Sequence, residues 1–383
     1  MATNRGSITR DETLRLWVLA GGRCEYCNAY LLEDAYSGYT LNLSERAHIV
    51  GAAEAARSPR GDADLPLSER ERAANLMLLC RAHHRLIDRL IAEHTVEGLR
   101  LMKREHEDRV RLLTGLTADV ETVVVRVIGG IRGAPVEIPA DTVLAAVRGD
   151  GRFPRYRLAL AGEDVEIDLR RLPDEGDASY WTAGARIIEE RVSRIRETQQ
   201  SIHHISVFAL ARIPLLVALG FHLDDKIPTT VYQRRRDGSG DQGWGFDPYA
   251  EPVSFQTERI SSCADKPGRV ALAVSLTAPI GGDVVAAASN ASVYEITPFA
   301  TAPSRDVMTA RASLDAFAAT YHRLLGILER DHPDCAQIEI FPAAPASAAV
   351  ELGRGIMRDA QPDLVIYDRQ IDGTFQPGLT LTR

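Results

Sequence analysis

Two half-sites of soft ligands constrain this chain more than any other feature. Cys24-x-x-Cys27 puts two thiols on one turn, and Cys80-x-x-His83 puts a thiol and an imidazole at the same spacing. Four N/S ligands in two knuckles are what a closed tetrahedral zinc site requires. A lone Cys-x-x-Cys is a weak signal, but two half-sites framing one compact segment predict a structural zinc. The other cysteines, Cys263 and Cys335, stand far away and are expected to be buried or incidental thiols. Five cysteines in 383 residues make no disulfide framework, so the clustering favours metal over redox chemistry.

The segment around these ligands has a short-element pattern. Leu14, Trp17 and Val18 mark one face of a helix over Asp11 to Ala20, which Gly21-Gly22 stops. Arg23 to Asn28 forms a tight knuckle, and Tyr39 to Leu43 and Arg46 to Val50 are expected as extended pieces. Gly51 to Glu69 has loop composition. The apolar run Leu76 to Leu79 leads into Cys80, and from Arg81 to about Leu113 the pattern is helical, with Leu86, Leu90, Val96, Leu99 and Met102 as its buried side. A change of character at Thr114 to Asp119 places a domain boundary, giving 1–116 and 117–383. That agrees with the two or three domains expected at this length.

Charge is uneven between the two. Residues 1–116 hold 17 Arg+Lys against 17 Asp+Glu, leaving 28 against 36 for the rest and the whole net charge of −8. A bulk-basic nucleic-acid binder is excluded, so any DNA contact must rest on a local patch. No run approaches the ~20 apolar residues of a membrane helix, and no apolar segment follows the polar start. These features predict a cytoplasmic protein without a membrane partner.

Val120 to Ile128 opens a region in which strands alternate with longer helical patterns. Ile205-Ser-Val-Phe208 and Ile338-Glu-Ile-Phe341 each precede a proline-bearing turn, an Ala/Leu-rich helix and a glycine. The step from Ile205 to Gly220 equals that from Ile338 to Gly353. Each copy ends in another strand, Thr230-Val-Tyr232 or Val365-Ile-Tyr367. The region is therefore a duplicated β-α-β design, whose ligand site is expected where the halves meet at the carboxyl ends of their strands.

Between the zinc half-sites stand polar residues without a structural need. His48 lies in Ala47-His48-Ile49, Asn75 precedes the apolar run, and His84 follows His83, about 100° away around a helix and so facing elsewhere. Phosphodiester hydrolysis needs a base that titrates near neutrality and a cation opposite the phosphate oxygens. His48 and His84 suit those two tasks. The set from Cys24 to His84, with the string Leu78-Leu79-Cys80-Arg81-Ala82-His83-His84-Arg85-Leu86-Ile87-Asp88, resembles the HNH nuclease family. The resemblance implies a ββα-metal fold in which His48 is the general base, Asn75 orients it or its loop, and His84 binds a catalytic divalent metal such as Mg²⁺. Many relatives carry an acid or second histidine immediately before the base, where this chain has Ala47. Asp88, one turn beyond His84, and Asp62 are the alternatives for a second metal ligand. Arg57, Arg60, Arg81 and Arg85 are expected to contact DNA phosphates.

The stretch Ile338 to Gly353, ending at Val365-Ile-Tyr-Asp368, resembles the SAVED sensor domain over roughly Val120 to Arg383. That family is similar to two fused CARF-like, Rossmann-related halves, so the expected fold class is multidomain α/β. The resemblance implies binding of a cyclic di- or oligonucleotide made by a cGAS-like nucleotidyltransferase. Stacking and phosphate contact make Trp181, Arg212, Arg234, Trp244 and Pro345 the expected ligand residues. An HNH module fused to SAVED resembles the effector of a bacterial anti-phage signalling system. It implies oligomerisation, to a tetramer, and degradation of double-stranded DNA. Two other readings are a restriction-type HNH enzyme whose second domain reads DNA directly and a zinc-stabilised binding module without catalysis. The acidic second region opposes the first, and His48, Asn75 and His84 oppose the second.

Overall fold

The computed structural model describes residues 7–54, 58–115, 117, 120–131, 136–154, 166–177, 179–198, 202–235, 243–263, 268–357 and 360–382. The chain divides into two compact units, 1–116 and 117–383. Among the described residues no helix is long and apolar enough to cross a membrane.

Unit 1 begins with α1 (Arg10–Ala20), whose first turn is capped by the Thr9 side chain and whose end is set by Gly21 at φ 61. Its buried face is Glu12, Leu16 and Ala20; Leu14 and Val18, expected inside, are exposed. The Glu12 carboxylate accepts the Ala73 N–H at 2.6 Å, so a polar side chain rather than an apolar stripe anchors this helix. Strand β1 (Ser44–His48) pairs antiparallel with β2 (Leu76–Cys80), in a register that sets His48 opposite Leu76 and Ser44 opposite Cys80. Helix α3 (Arg81–Arg89) starts directly from Cys80, after the short α2 (Leu67–Arg70). The long helix expected to about Leu113 is broken: α4 (Val96–Thr114) restarts behind Thr95, whose hydroxyl accepts the Gly98 N–H at 3.1 Å. The core gathers Leu16, Ile49, Leu76, Leu78, Ile87 and Leu99.

Unit 2 holds two sheets. In the first half, β3 (Glu121–Ile128), β4 (Phe153–Pro154), β5 (Glu166–Asp168), β6 (Ile205–Leu210) and β7 (Thr229–Val231) run parallel in the order β4-β3-β6-β7, with β5 also pairing β3. The helices α5 (Ala140–Gly149), α6 (Tyr180–Thr198) and α7 (Ile213–Leu223) connect them. Continuous apolar runs such as Val123 to Val125 suit strands covered on both faces. In the second half, β9 (Arg269–Ser275), β10 (Ser292–Pro298), β11 (Gln337–Ala343) and β12 (Asp363–Arg369) form a parallel core. The antiparallel edges are β8 (Phe255–Ser261) and β13 (Phe375–Leu381), in the order β13-β12-β11-β9-β10-β8. Its helices are α8 (Gly281–Ala287), α9 (Arg311–Asp331) and α10 (Ala346–Arg354).

The halves join through α7 and α10 within one apolar core. The duplication extends to aromatic triplets. Phe208 stacks on Tyr232 at 4.3 Å and meets Trp244 edge-on at 5.3 Å; Phe341 stacks on Tyr367 at 4.1 Å and meets Phe375 edge-on at 5.2 Å.

Candidate functional site

In unit 1, the ligand atoms of Cys24, Cys27, Cys80 and His83 all lie within 4.8 Å of one another. His83 Nδ1 is 3.0 Å from Cys80 Sγ and 4.0 Å from Cys24 Sγ. Bonds of about 2.0 to 2.3 Å to a tetrahedral zinc require such separations, so this Cys3His group fits a metal such as zinc. The knuckle is built locally: Asn28, at φ 61, turns its N–H onto the Cys24 carbonyl at 2.8 Å. Tyr26 stacks on the His83 ring at 4.3 Å. Glu25, between the two cysteines, accepts the Leu78 N–H at 2.7 Å and faces Lys103 Nζ at 3.4 Å, tying the knuckle to β2 and α4. Burial pushes its carboxyl up to about 7 despite these donors.

A second cluster lies in a cleft of about 550 Å³ lined by His48, Glu71, His84, Asp88 and Arg46, among others. His48 ends β1, and its Nε2 is 3.3 Å from Glu71 Oε2. His84, on α3, has a carboxylate at each ring nitrogen: Glu45 at 2.8 Å from Nδ1 and Asp88 at 3.3 Å from Nε2. The hydrogen bond with Asp88, and secondly that with Glu45, raises the His84 pKa against burial. Asn75 is buried, and its side chain bonds the Val50 N–H, the Val50 carbonyl and the Arg70 carbonyl at 2.8 to 2.9 Å. It holds the loop after His48 and does not touch the imidazole.

Other expected residues fall differently. Asp62 does not line this cleft. Arg60 is no surface phosphate contact: it is 6% exposed, with its guanidinium bonded to the Ile49, Ile87 and His48 carbonyls and to Asp88. Arg81 and Arg85 are exposed on α3 and line no part of the cleft. Arg57 lies outside the described residues. Sequence reasoning missed Glu45 and Glu71. The register of β1 could have found Glu45, since Ser44 lies opposite Cys80.

In unit 2 a cavity of about 890 Å³ opens where β6 and β11 end and α7 and α10 begin. Its walls include Arg234, Arg235, Arg305, Tyr249, Thr277 and Pro345. Two expected residues, Arg234 and Pro345, are therefore here. Three are not. Trp244 is 7% exposed and belongs to the aromatic core on Phe208. Arg212 is bound by the carboxylates of Asp368 and Glu175, and Trp181 lies against that same guanidinium, 6.0 Å from ring centre to Cζ. Tyr249, 92% exposed, and Arg305 were not expected. The Asp247-Pro248-Tyr249 turn was the available signal, because the Asp247 carboxylate accepts the Tyr249 N–H at 2.8 Å.

The family model of SAVED, the SMODS-associated and fused to various effectors sensor domain, matches residues 186–381. The chain belongs to the SAVED family. The match begins within α6 and takes in the second copy of the duplication together with β6, α7 and β7 of the first. No curated protein matches the chain. Among solved structures it is similar to an Acinetobacter baumannii Cap4 SAVED/CARF-domain containing receptor with the cyclic trinucleotide 2'3'3'-cAAA. The TM-score is 0.45 at 10% identity, over 80% of this chain and 62% of that one. The same receptor with 3'3'3'-cAAA gives 0.45 and 10%, over 80% and 63%. A Moraxella osloensis Cap4 receptor gives 0.41 and 10%, over 76% and 63%. The SAVED chain described here thus spans less than two thirds of the length of these receptors.

Proposed function

We propose that the chain is a DNA endonuclease controlled by a cyclic nucleotide. Unit 1 hydrolyses phosphodiesters of double-stranded DNA as an HNH-type enzyme, and the SAVED unit binds a cyclic di- or oligonucleotide. The observation that carries this reading is the unit 1 cleft. It brings together an imidazole with one nitrogen tied to a carboxylate and an imidazole–carboxylate pair, in the same chain as a sensor domain.

The Glu71 carboxylate accepts the proton of His48 Nε2, so the lone pair on Nδ1 is the one that takes a proton from water. His84 Nε2 and Asp88 would hold a divalent cation such as Mg²⁺, with Glu45 accepting from Nδ1 on the outer side. Such a cation supplies positive charge opposite the phosphate oxygens and the leaving oxygen. This arrangement compensates for Ala47: the acid absent beside the base is supplied from α3. Asn75 fixes the chain after His48, so that the base keeps its place at the strand end.

In the SAVED unit the cavity volume of about 890 Å³ suits a ligand of this size. Ile213 and Ala346, the first residues of α7 and α10, line it, and Arg234, Arg235 and Arg305 add charge where the net field of an acidic unit is unhelpful. Ligand binding drives SAVED units to assemble, to a tetramer, which licenses DNA degradation during phage infection in the cytoplasm. A cGAS-like nucleotidyltransferase supplies the messenger.

The test is plasmid cleavage with Mg²⁺ across a panel of cyclic di- and trinucleotides. Cutting that begins only when one of them is added is the expected outcome. Full cutting without any nucleotide would favour direct DNA reading by the second unit, and no cutting under any condition would remove the nuclease.

A further inference from the structure

We propose that Arg60 is a positioning residue of the unit 1 cleft: a buried clamp that fixes the strand end carrying His48 against the helix carrying His84 and Asp88. The proposal rests on the nuclease reading above. The Arg60 guanidinium donates from Nε to the Ile49 carbonyl at 2.7 Å and from Nη1 to the Ile87 carbonyl at 2.7 Å. From Nη2 it reaches the His48 carbonyl at 3.2 Å and Asp88 Oδ1 at 3.1 Å. One planar group thus joins the carbonyl of the proposed base, the carbonyl of the residue that follows it, a carbonyl in the last turn of α3 and the carboxylate beside His84. The Ile87 carbonyl is among those a helix end leaves without an internal partner. Asp88 is left with its other oxygen toward His84 Nε2.

The backbone around Arg60 is arranged to deliver this side chain. Its φ of 53 is left-handed, a conformation that costs a non-glycine residue about 1 kcal/mol or more and persists only when its surroundings enforce it. The loop that carries it folds back on itself. Ser58 Oγ donates to the Ala53 carbonyl at 2.7 Å, and the Gly51 N–H reaches the Pro59 carbonyl at 3.0 Å. At Gly51 a Cβ would stand 2.1 Å from Ser58 Oγ, so the closure needs glycine. What has loop composition in sequence is a strap. Lysine could not replace the arginine here, because a point charge cannot serve four acceptors spread around one plane.

The experiment compares full-length, zinc-loaded wild type with Arg60→Ala and Arg60→Lys. It measures Mn²⁺ binding by electron paramagnetic resonance and, with the activating cyclic nucleotide added, KM for plasmid DNA with its salt dependence. The clamp predicts a fall of about 10- to 100-fold in Mn²⁺ affinity in both variants, with DNA KM and salt slope unchanged. Unchanged Mn²⁺ binding with a raised KM and a salt slope smaller by about 1 would make Arg60 a phosphate contact and overturn the proposal. If Arg60→Ala does not fold, Arg60→Lys decides: full Mn²⁺ affinity in that variant overturns the clamp as well. A wild type that binds Mn²⁺ in a His84-dependent way but cuts no DNA with any cyclic di- or trinucleotide added removes the nuclease reading and leaves the clamp intact.

Discussion

Gly220 on α7 and Gly353 on α10 occupy reciprocal positions: a Cβ on the first would lie 1.9 Å from the Val350 carbonyl oxygen, and a Cβ on the second 1.9 Å from the Val217 carbonyl oxygen. Val217 and Val350 are separated by the same 133 residues as the two glycines. The duplicated helices therefore cross at their backbones, and each copy supplies the glycine that admits the other.

Gly220→Ala and Gly353→Ala should each destabilise unit 2, and to a similar extent. The methyl meets backbone rather than a flexible side chain, so a loss of ~3 kcal/mol or more is expected, at the upper end for overpacking. Urea unfolding of the two single variants checks this. A loss in one and not the other would show that the contact is not shared equally.

The Cys3His group should carry one zinc per chain. Cys24→Ser or Cys80→Ser should lose it and unfold unit 1, while the unfolding transition of unit 2 stays where it was. Metal analysis with calorimetry reads both. A fully folded, zinc-free unit 1 would be the contrary result.

His48→Ala should abolish DNA cutting without changing zinc content, whereas Glu71→Gln should lower kcat by about 10- to 100-fold with little effect on KM. The amide still fits beside Nε2 but loses the charge that steadies an imidazolium. Zinc loss in His48→Ala would mean that the two histidine roles are exchanged.

Stability of unit 2 should fall in mild acid. His204 is buried between Thr122 and Thr230, and burial, then the charges of Arg152, Arg311 and Arg354, lowers its pKa to about 4. The folded value lies below the ordinary one, so the unfolded chain takes up the proton first as pH falls. The contribution is intact above about pH 6.5 and is lost progressively toward pH 4; at roughly 1.4 kcal/mol per pKa unit it amounts to ~3 kcal/mol. Unfolding measured from pH 7.5 to 4.5, compared with His204→Asn, checks the slope. An equal slope in that variant would assign the acid sensitivity to other groups.

The metal knuckle, the strand–helix frame around it and the repeated β-α-β copies were legible because each is a matter of spacing along the chain. Partners across elements were not. Glu45 meets His84 because β1 pairs with the strand leading into α3, and Glu71 meets His48 across an intervening loop. The side chain of Arg60 turns inward because its loop closes on itself, which composition does not encode. Trp244 and Trp181 illustrate the same limit. An aromatic residue near a site can fill the core or face the ligand, and only the fold decides between them. Asn75 stood out in the sequence as a polar residue beside an apolar run, and what composition did not show is that its side chain bonds backbone.

The 133-residue offset that matches the glycines also pairs Arg212 with Pro345, the caps of α7 and α10. In the first copy the capping position carries an arginine locked by two carboxylates and outside the cavity lining; in the second it carries a ring that lines the cavity and can neither donate nor charge. A body with near-twofold bones thus has a mouth with a left and a right. The same repeat position therefore offers different chemistry in the two copies.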